Sequence, residues 1–314
     1  MESVFHRCDR NPILTARHMP FPAAAVLNPG VTEQDGRVVL LLRVEDHSGH
    51  SNIYVARSAD GVTDWQISPE PILRYGDPKW KYESWGCEDP RVSRLPGQDG
   101  WHITYTAYSE YGAAVAMAQS RDLVTAERIG LILPPNNKDA ALFGQQFDGR
   151  WAVLHRPDAG GGIEDIWIAY SSDLIHWGDP HCVLREGTGS AWDALKVGAG
   201  PPPVPTEFGW LLIYHGVKMY GGELLYRAGV AILDKRVPHK VVARAPGWVF
   251  QAEEIYEVSG LVPGVVFPTG CLIRDGELWM YYGAADTCVC LATAKLNDIL
   301  GLLYMRQIVE EWRG

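Results

Sequence analysis

The chain has 314 residues, of which 46% are hydrophobic and 21% charged, so we expect a well-packed globular protein. Its formal net charge of −10 argues against a nucleic acid or a membrane surface as partner. The six cysteines lack a zinc-type spacing, and neither a signal peptide nor an apolar run long enough to span a membrane is visible. We therefore expect a cytoplasmic protein with reduced thiols and no metal.

Along the chain, a turn glycine is repeatedly followed by an apolar strand rich in β-branched and aromatic residues. The copies are GRVVLLLR from Gly36, GWHITYTAY from Gly100, GRWAVLHRP from Gly149, GWLLIYHGV from Gly209 and GELWMYYGAAD from Gly276. Some of the strands that follow are also alike: IYVARSADGVTDW (53–65) resembles IWIAYSSDLIHW (166–177), and VAMAQSRDL (115–123) is a looser copy. A helical pattern is visible only in the tail, over 296–303.

This repeat predicts the fold. Five units spaced by roughly 50–70 residues fit four-stranded propeller blades better than the alternative, a large irregular β-sandwich. We predict an all-β fold, a five-bladed β-propeller with a short C-terminal helix, forming a single catalytic domain over 1–314. The innermost strands of a propeller line a central channel, so polar residues at the ends of these strands can share one cavity.

Polar side chains occur where these strands end and an apolar core residue would be expected. They are Arg43, His155, Arg156, His215 and Asp286. Other segments add Asn28, Glu88, Asp89, Arg91, Lys138, Asp139 and Lys196. Each residue alone has an ordinary structural explanation, such as a salt bridge, a buried histidine or a solvated turn. Because a propeller brings such strand ends to one axis, the whole set predicts a site.

The cationic residues of this set predict an anion. They are Arg43, Arg91, Arg156, Lys196 and His215. In a propeller they would meet in one pocket of an otherwise acidic protein. Phosphate matches arginine forks and a lysine, and a sulfate or a carboxylate sugar would also satisfy them.

The carboxylates predict the kind of reaction. Asp89 is the candidate general acid, because Pro90 restricts its backbone and burial would raise its pKa. Ordinary glycosidases need a second carboxylate as nucleophile or base, for which Asp139 and Asp286 are candidates. A base placed among arginines and a lysine would be weak, because the cations lower its pKa. Phosphate as nucleophile removes the need for that base, so the cationic surroundings favour phosphorolysis over hydrolysis.

A set of short motifs resembles those of a known family. They are GCEDPRV (86–92), NNKDAALF (136–143), LHRP (154–157), LKVGAGPPP (195–203) and GWLLIYHGV (209–217), with RNPIL (10–14), LNPG (27–30), FPTG (267–270) and YYGAAD (281–286). The family is glycoside hydrolase family 130, which contains β-mannoside phosphorylases and β-mannosidases. The resemblance covers nearly the whole chain and implies a five-bladed propeller. It also implies an inverting cleavage of a β-mannoside by inorganic phosphate to give α-mannose 1-phosphate.

The same resemblance implies roles for individual residues. Asp89 would be the proton donor and would act through the mannosyl 3-hydroxyl, which relays the proton to the glycosidic oxygen. Phosphate contacts are implied for Arg43, Arg156, Lys196 and His215. Sugar contacts are implied for Asn28 and Asp286, with Arg91 beside the acid. Further substrate-binding candidates are Glu88, Lys138, Asp139, His155 and Tyr226.

Two other functions stay open at this point: a β-mannosidase of the same family, and a carbohydrate-binding propeller without activity. A β-1,4-mannooligosaccharide is the favoured substrate, and β-1,2-mannobiose is the alternative. We expect the choice of acceptor sugar to depend on aromatic residues at the mouth of the cleft, such as Tyr82, Trp85, Tyr108 and Tyr220. No cofactor is expected besides phosphate as co-substrate, and the resemblance suggests a homo-oligomer.

Overall fold

The computed structural model describes residues 4–158, 160 and 162–311, and most of the regular structure in this part is β-strand. Two short strands come first: β1 (His6–Arg7) and β2 (Leu14–Thr15). Unit 1 then contains β3 (Ala25–Gln34), β4 (Arg37–Glu45), β5 (Ser51–Ser58) and β6 (Gln66–Ile67). Unit 2 contains β7 (Gly86–Ser93), β8 (Trp101–Ser109), β9 (Gly112–Ser120) and β10 (Glu127–Leu133). In both units consecutive strands are antiparallel neighbours.

Three further units follow the same plan, with some strand positions divided between two short strands. Unit 3 contains β11 (Asn137–Phe147), β12 (Arg150–Pro157), β13 (Ile166–Ser171) and β14 (Gly178–Leu184). Unit 4 contains β15 (Lys196–Ala199), β16 (Val204–Thr206), β17 (Gly209–Tyr220), β18 (Glu223–Leu233), β19 (Val241–Arg244) and β20 (Phe250–Gln251). Unit 5 contains β21 (Val266–Arg274), β22 (Glu277–Ala284) and β23 (Cys288–Lys295). Because β1 and β2 pair with β23, the start of the chain completes the last unit.

The repeat seen in the sequence corresponds to these units. The five glycine-led segments form the second strands β4, β8, β12, β17 and β22. The five glycines before or at the start of these strands have φ between 70° and 140°, a conformation that the hairpin turns need and that glycine adopts at low cost. The prediction of an all-β fold is confirmed.

Buried apolar residues lie between neighbouring units. Val39 and Leu41 of unit 1 pack with Ile103 of unit 2, and similar clusters join units 2 and 3, 3 and 4, and 4 and 5. A further cluster joins unit 5 back to unit 1, through Leu291 and Leu40. The units therefore form a closed ring, which is the arrangement that a five-bladed propeller requires.

Helices are few in the described residues. Two single 3-10 turns cover Ala16–His18 and Lys81–Glu83, and a short helix α1 covers Ile255–Val258. The helix α2 covers Leu296–Glu311, so it begins where the sequence predicted and extends further. Within the described part of the chain, we find no helix of the length and apolarity needed to cross a membrane.

Candidate active site

The predicted site residues meet at one end of the ring. In each unit the first strand begins beside the end of the second strand, because the two strands are antiparallel neighbours. The register places three residue pairs at this end: Leu27–Arg43, Lys138–Arg156 and Gly198–His215. The fold therefore brings the polar strand ends of different units together, as the sequence predicted.

Three of the site side chains, those of Asn28, Asp89 and Asp139, lie at β-bulges, where the pairing of two strands is interrupted. The pairing of β3, β7 and β11 with the next strand shifts at Asn28, Asp89 and Asp139, respectively. Their φ angles are 46°, 48° and 55°, in the left-handed region that Asn and Asp tolerate better than most other residues. Such bulges leave a residue unpaired and re-aim its side chain. The three polar groups thus occupy equivalent positions in units 1, 2 and 3.

Units 1, 2 and 5 contribute what we call the acid cluster: Asn28, Arg43, Glu88, Asp89 and Asp286. Asp89 is only 2% exposed. Its Oδ1 accepts hydrogen bonds from Nδ2 of Asn28 at 2.8 Å and from Nη1 of Arg43 at 3.0 Å. Arg43 also donates from Nη2 to Oε1 of Glu88 at 3.0 Å. One guanidinium therefore ties the two adjacent carboxylates together.

The pKa of Asp89 is set by its neighbours. Burial opposes ionisation of this carboxyl group. The charges of Arg43, Lys138 and Arg91 outweigh burial, and the pKa falls to about 2. Burial acts on the pKa of Asp89 in the predicted direction, but in the protein alone the nearby cations act more strongly than the loss of water.

The other two carboxyl groups of the acid cluster behave in the opposite way. Burial raises the pKa of Glu88, and it raises the pKa of Asp286 to about 6. In both cases the charge of Arg43 lowers the pKa, while the charge of Asp89 raises it. The acid cluster thus holds more carboxyl groups than its one arginine neutralises, which favours keeping a proton there.

Arg43, which the resemblance implied as a phosphate contact, donates to the carboxylates of the acid cluster. Besides the two carboxylates, it donates from Nε to Oγ of Ser51 at 2.9 Å. All three of its nitrogen atoms are therefore engaged around the acid cluster. The structure places Arg43 where it positions Glu88 and Asp89.

Arg91 connects the acid cluster to unit 4. It is almost fully buried, and its Nη1 donates to the main-chain carbonyl of Asp89 at 2.8 Å. Its Nε and Nη2 donate to the carbonyls of Gly200 and Ala199, both at 3.1 Å. Arg91 therefore fixes the backbone of Asp89, which agrees with an orienting role and leaves little of the guanidinium for an anion.

Units 3 and 4 contribute what we call the basic cluster: Lys138, Asp139, Arg156, Lys196 and His215. The fully buried Asp139 accepts a hydrogen bond from Nε of Arg156 at 2.8 Å. Burial opposes its ionisation, but the charges around it, Arg156 first, hold its pKa well below the usual range. Lys138 joins the two clusters, since its Nζ lies 3.9 Å from Oδ2 of Asp89.

Lys196 lies among other cations. Burial, together with the charges of Arg156 and Lys138, lowers the pKa of Lys196 to about 8. Its Nζ is 5.6 Å from the centre of the Tyr226 ring, whose hydroxyl pKa is raised by burial. A bound anion would relieve the repulsion and keep Lys196 charged.

His215 is neutral, contrary to the prediction that it is one of the cations. Burial lowers its pKa to about 3, although Asp139 lies 3.6 Å from its Nε2. The ring packs on Phe267, with centroids 4.5 Å apart, and its nitrogens have no hydrogen-bond partner among the described residues. A Cβ at position 198 would collide with both His215 and Asp139, so Gly198 is required there. The neutral ring keeps one donor and one acceptor for a ligand.

His155 belongs to the surroundings of the basic cluster. Its Nδ1 lies 3.1 Å from Oδ1 of Asn137, at the start of β11. Burial lowers the pKa of His155 to about 4, so this ring is neutral as well. The contact holds the strand start that carries Lys138 and Asp139.

Sequence reasoning missed Glu45, Ser51, Glu164 and Phe267. Glu45 lies 3.7 Å from Nη2 of Arg43, and Glu164 pairs with Nη1 of Arg156. Phe267 could have been found from the sequence. The segment FPTG in unit 5 matches LNPG in unit 1, so Phe267 takes the position of Leu27, next to the site residue Asn28. Ser51 is the first residue of β5 and Glu164 precedes β13, and neither has a distinguishing sequence pattern, so only the fold reveals them.

The chain is similar to several known proteins. The family model described as β-1,4-mannooligosaccharide phosphorylase, of glycoside hydrolase family 130, matches residues 10–305. A 1,2-β-oligomannan phosphorylase of Thermoanaerobacter sp. is 33% identical over 88% of this chain and 92% of its own length. A β-1,4-mannooligosaccharide phosphorylase of Ruminococcus albus is 30% identical over 95% and 90%, respectively.

A solved structure agrees in fold over nearly the whole chain. The β-1,2-mannobiose phosphorylase of Listeria innocua, in complex with β-1,2-mannobiose, superposes with a TM-score of 0.87 and 29% sequence identity. The alignment covers 97% of this chain and all of the other. Together with the matched family model, this shows that the chain belongs to glycoside hydrolase family 130.

Proposed function

We propose that the protein is an inverting β-mannoside phosphorylase, which uses inorganic phosphate to cleave a β-mannoside and releases α-mannose 1-phosphate. The observation that carries this proposal is the adjacency of the two clusters. A buried carboxylate, Asp89, lies across Lys138 from a group of cations that Asp139 does not fully neutralise. Such a site suits a proton donor on one side and an attacking anion on the other.

In this proposal phosphate binds to the basic cluster. Lys196 and Lys138 supply charge, Arg156 supplies guanidinium donors, and the neutral ring of His215 supplies one further hydrogen bond. Binding is favourable because the anion removes the repulsion that lowers the pKa of Lys196. The unpartnered nitrogens of His215 would also be satisfied.

Water is a poorer nucleophile in this site. Activation of water at the basic cluster needs a carboxylate there that accepts a proton, and the buried Asp139 is a weak base because Arg156 stabilises its charged form. Phosphate already carries negative charge and needs no such base. This argument favours phosphorolysis over the hydrolytic alternative.

Proton delivery requires a change at Asp89, which is ionised in the protein alone. A phosphate beside Lys138 would cancel part of the charge that lowers the pKa of Asp89. Asp286, with a pKa of about 6, offers a nearby carboxyl group that keeps a proton more readily. We propose that Asp89 is protonated when both substrates are bound, and that it acts through the mannosyl 3-hydroxyl.

Location and substrate complete the proposal. We propose the cytoplasm, because all six cysteines are free thiols. β-1,4-Mannooligosaccharides are the first substrates to test, because the matched family model carries that description. β-1,2-Linked substrates come next, because the 1,2-β-oligomannan phosphorylase of Thermoanaerobacter sp. is 33% identical to this chain, similar to the 30% of the β-1,4-mannooligosaccharide phosphorylase of Ruminococcus albus.

The decisive experiment compares products with and without phosphate. The protein is incubated with β-1,4- and with β-1,2-mannobiose, and the sugars are identified by NMR. We expect α-mannose 1-phosphate and one mannose, formed only when phosphate is present. Release of two mannose units at an equal rate without phosphate would overturn the proposal in favour of a mannosidase.

A further inference from the structure

An exposed aromatic pair lies at the rim of the acid cluster. Trp85 and Tyr108 are 42% and 39% exposed, and their rings meet edge to face with centroids 5.5 Å apart. The main-chain N–H of Trp85 donates to the carbonyl of Tyr108 at 2.9 Å. Among the described residues, no cation lies over either ring. These two aromatic surfaces are therefore open to a ligand.

The Trp85–Tyr108 pair is connected to the acid cluster through Gly86 and its strand neighbours. Gly86 follows Trp85, pairs with Tyr108 in β8 and also with Ser51, which receives a hydrogen bond from Arg43. A Cβ at Gly86 would touch the side chain of Glu88, so little separates the pair from the acid cluster. Trp85 precedes Asp89 by four positions, or about 13 Å along an extended strand. This distance exceeds one pyranose ring.

A buried network holds the segment before Trp85 in place. Glu83, 2% exposed, accepts hydrogen bonds from the hydroxyl of Tyr105 at 2.5 Å and from Nε of Arg128 at 2.8 Å. The Sγ of Cys87 donates to the same carboxylate at 3.4 Å. Burying a carboxylate is costly unless it is paired in this way. The network orders the aromatic surface before any ligand arrives, which reduces the entropy lost on binding.

A second aromatic pair has a cation over its rings, although Tyr111 is 51% exposed. Tyr82 and Tyr111 lie 5.4 Å apart, and Nζ of Lys81 lies 5.2 Å and 5.8 Å from their ring centres. A ring with a lysine over its face has less surface for a sugar. Of these two pairs, we therefore assign the sugar-binding surface to Trp85 and Tyr108, whose rings no lysine or arginine covers among the described residues.

We propose that Trp85 and Tyr108 form a subsite for the acceptor end of a β-mannoside, beyond the sugar next to the cleaved bond. The apolar face of a pyranose packs on an aromatic ring, and an amphipathic tryptophan or tyrosine suits such a half-exposed contact. The subsite gives the enzyme a preference for substrates of three or more sugar units. The inference rests on the proposed function, because Asp89 marks the cleaved bond.

Calorimetric binding tests this preference without turnover. Di- and tetrasaccharides of β-1,4- and of β-1,2-mannose are titrated, without phosphate, into the wild type and three variants. Trp85→Ala removes the ring, and Trp85→Phe keeps an aromatic surface. Phe208→Ala is the matched control, because Phe208 is 43% exposed but lies in the turn between β16 and β17, at the opposite end of unit 4.

We expect the wild type to bind the tetrasaccharide of one series more tightly than the disaccharide. In Trp85→Ala this advantage falls by about tenfold, while Trp85→Phe keeps most of it and Phe208→Ala keeps all of it. Equal affinity for both lengths in the wild type, or an unchanged advantage in Trp85→Ala, would overturn the subsite. Formation of mannose 1-phosphate in the same preparations tests the proposed function separately. Length-dependent binding without that product would refute the phosphorylase and leave the subsite standing.

Discussion

The acid cluster and the basic cluster are built in the same way with opposite charge. Each centres on a left-handed aspartate at a strand bulge, Asp89 in unit 2 and Asp139 in unit 3. In the acid cluster the surplus charge is negative, and burial raises the pKa of Asp286 to about 6. In the basic cluster the surplus is positive, and burial with neighbouring cations lowers the pKa of Lys196 to about 8.

The difference shows that an aspartate at the same bulge position can serve two purposes in two units of the fold, one in a cluster that takes up a proton and one in a cluster that takes up an anion. The acid cluster favours taking up a proton, because its carboxyl groups repel one another. The basic cluster favours taking up an anion, because its cations do the same. Asp139 reduces that repulsion and holds Arg156 in place, whereas Asp89 lies 3.9 Å from Nζ of Lys138, the residue that joins the two clusters.

Asp89→Asn is expected to have the largest effect. It keeps the shape of the side chain but removes the proton donor, so kcat for phosphorolysis should fall by roughly 10²- to 10⁴-fold. The rate of mannose 1-phosphate formation is the measurement, with circular dichroism to confirm folding. Asp286→Asn is the comparison and should lose less activity. The opposite order of the two losses would transfer the role of acid to Asp286.

Asp139→Ala tests the central carboxylate of the basic cluster. It leaves buried cations without their partner, so the free energy of unfolding should fall by about 3–5 kcal/mol. Because the folded state lowers the pKa of Asp139, its contribution is complete above the pKa of about 4 for an unfolded aspartate and is lost as the pH falls further.

Urea unfolding of Asp139→Ala can be compared with that of Asp179→Ala. Asp179 pairs with Arg150 on the surface at 2.9 Å, and half of its side chain is exposed. Removal of such a solvent-exposed pair should cost far less, because water screens its charges. An equal loss in the two variants would contradict the idea that Asp139 neutralises a buried charge.

Much of the fold could be predicted from the sequence because its signals are local. Gly36 and the four other turn glycines mark hairpins that need a positive φ, and the apolar runs after them mark the second strands. The antiparallel topology then places Arg43, Arg156 and His215 at one end. The motifs alone gave the resemblance to glycoside hydrolase family 130, which the matched family model confirms.

The electrostatics of the site could not be predicted in the same way, because they depend on distances between units. The pKa of Asp89 is low because Arg43 of unit 1 and Lys138 of unit 3 reach it. His215 is neutral because Phe267 of unit 5 helps to bury it. The sequence did contain one signal for the bulges at Asn28, Asp89 and Asp139. In each case a polar residue is followed by a proline or by a small residue, alanine.

Lys196→Met tests the surplus charge of the basic cluster directly. The methionine fills a similar volume without a charge, so the KM for phosphate should rise by roughly 10- to 100-fold, as expected for loss of a charge-assisted contact of about 1.5–3 kcal/mol. Initial rates at varied phosphate are the measurement. Lys218→Met is a control, because Lys218 in the same strand pair donates to the carbonyl of Ser190 at the surface. A KM unchanged in Lys196→Met would separate Lys196 from the phosphate.

The pH dependence of phosphate binding is expected to show the smallest effect. It tests whether the titrating group belongs to the basic cluster, where Lys196 has a pKa of about 8, or to the acid cluster, where Asp286 has a pKa of about 6. Lys196 is charged below its pKa of about 8 and neutral above it, so the KM for phosphate should rise with pH. Between pH 7 and pH 9 the charged fraction of such a group falls by roughly tenfold. Lys196→Arg stays charged throughout this range and should show a flatter profile. Because the titration of phosphate itself is common to both proteins, the difference between the two profiles isolates Lys196, and coincident profiles would assign the pH dependence to another group.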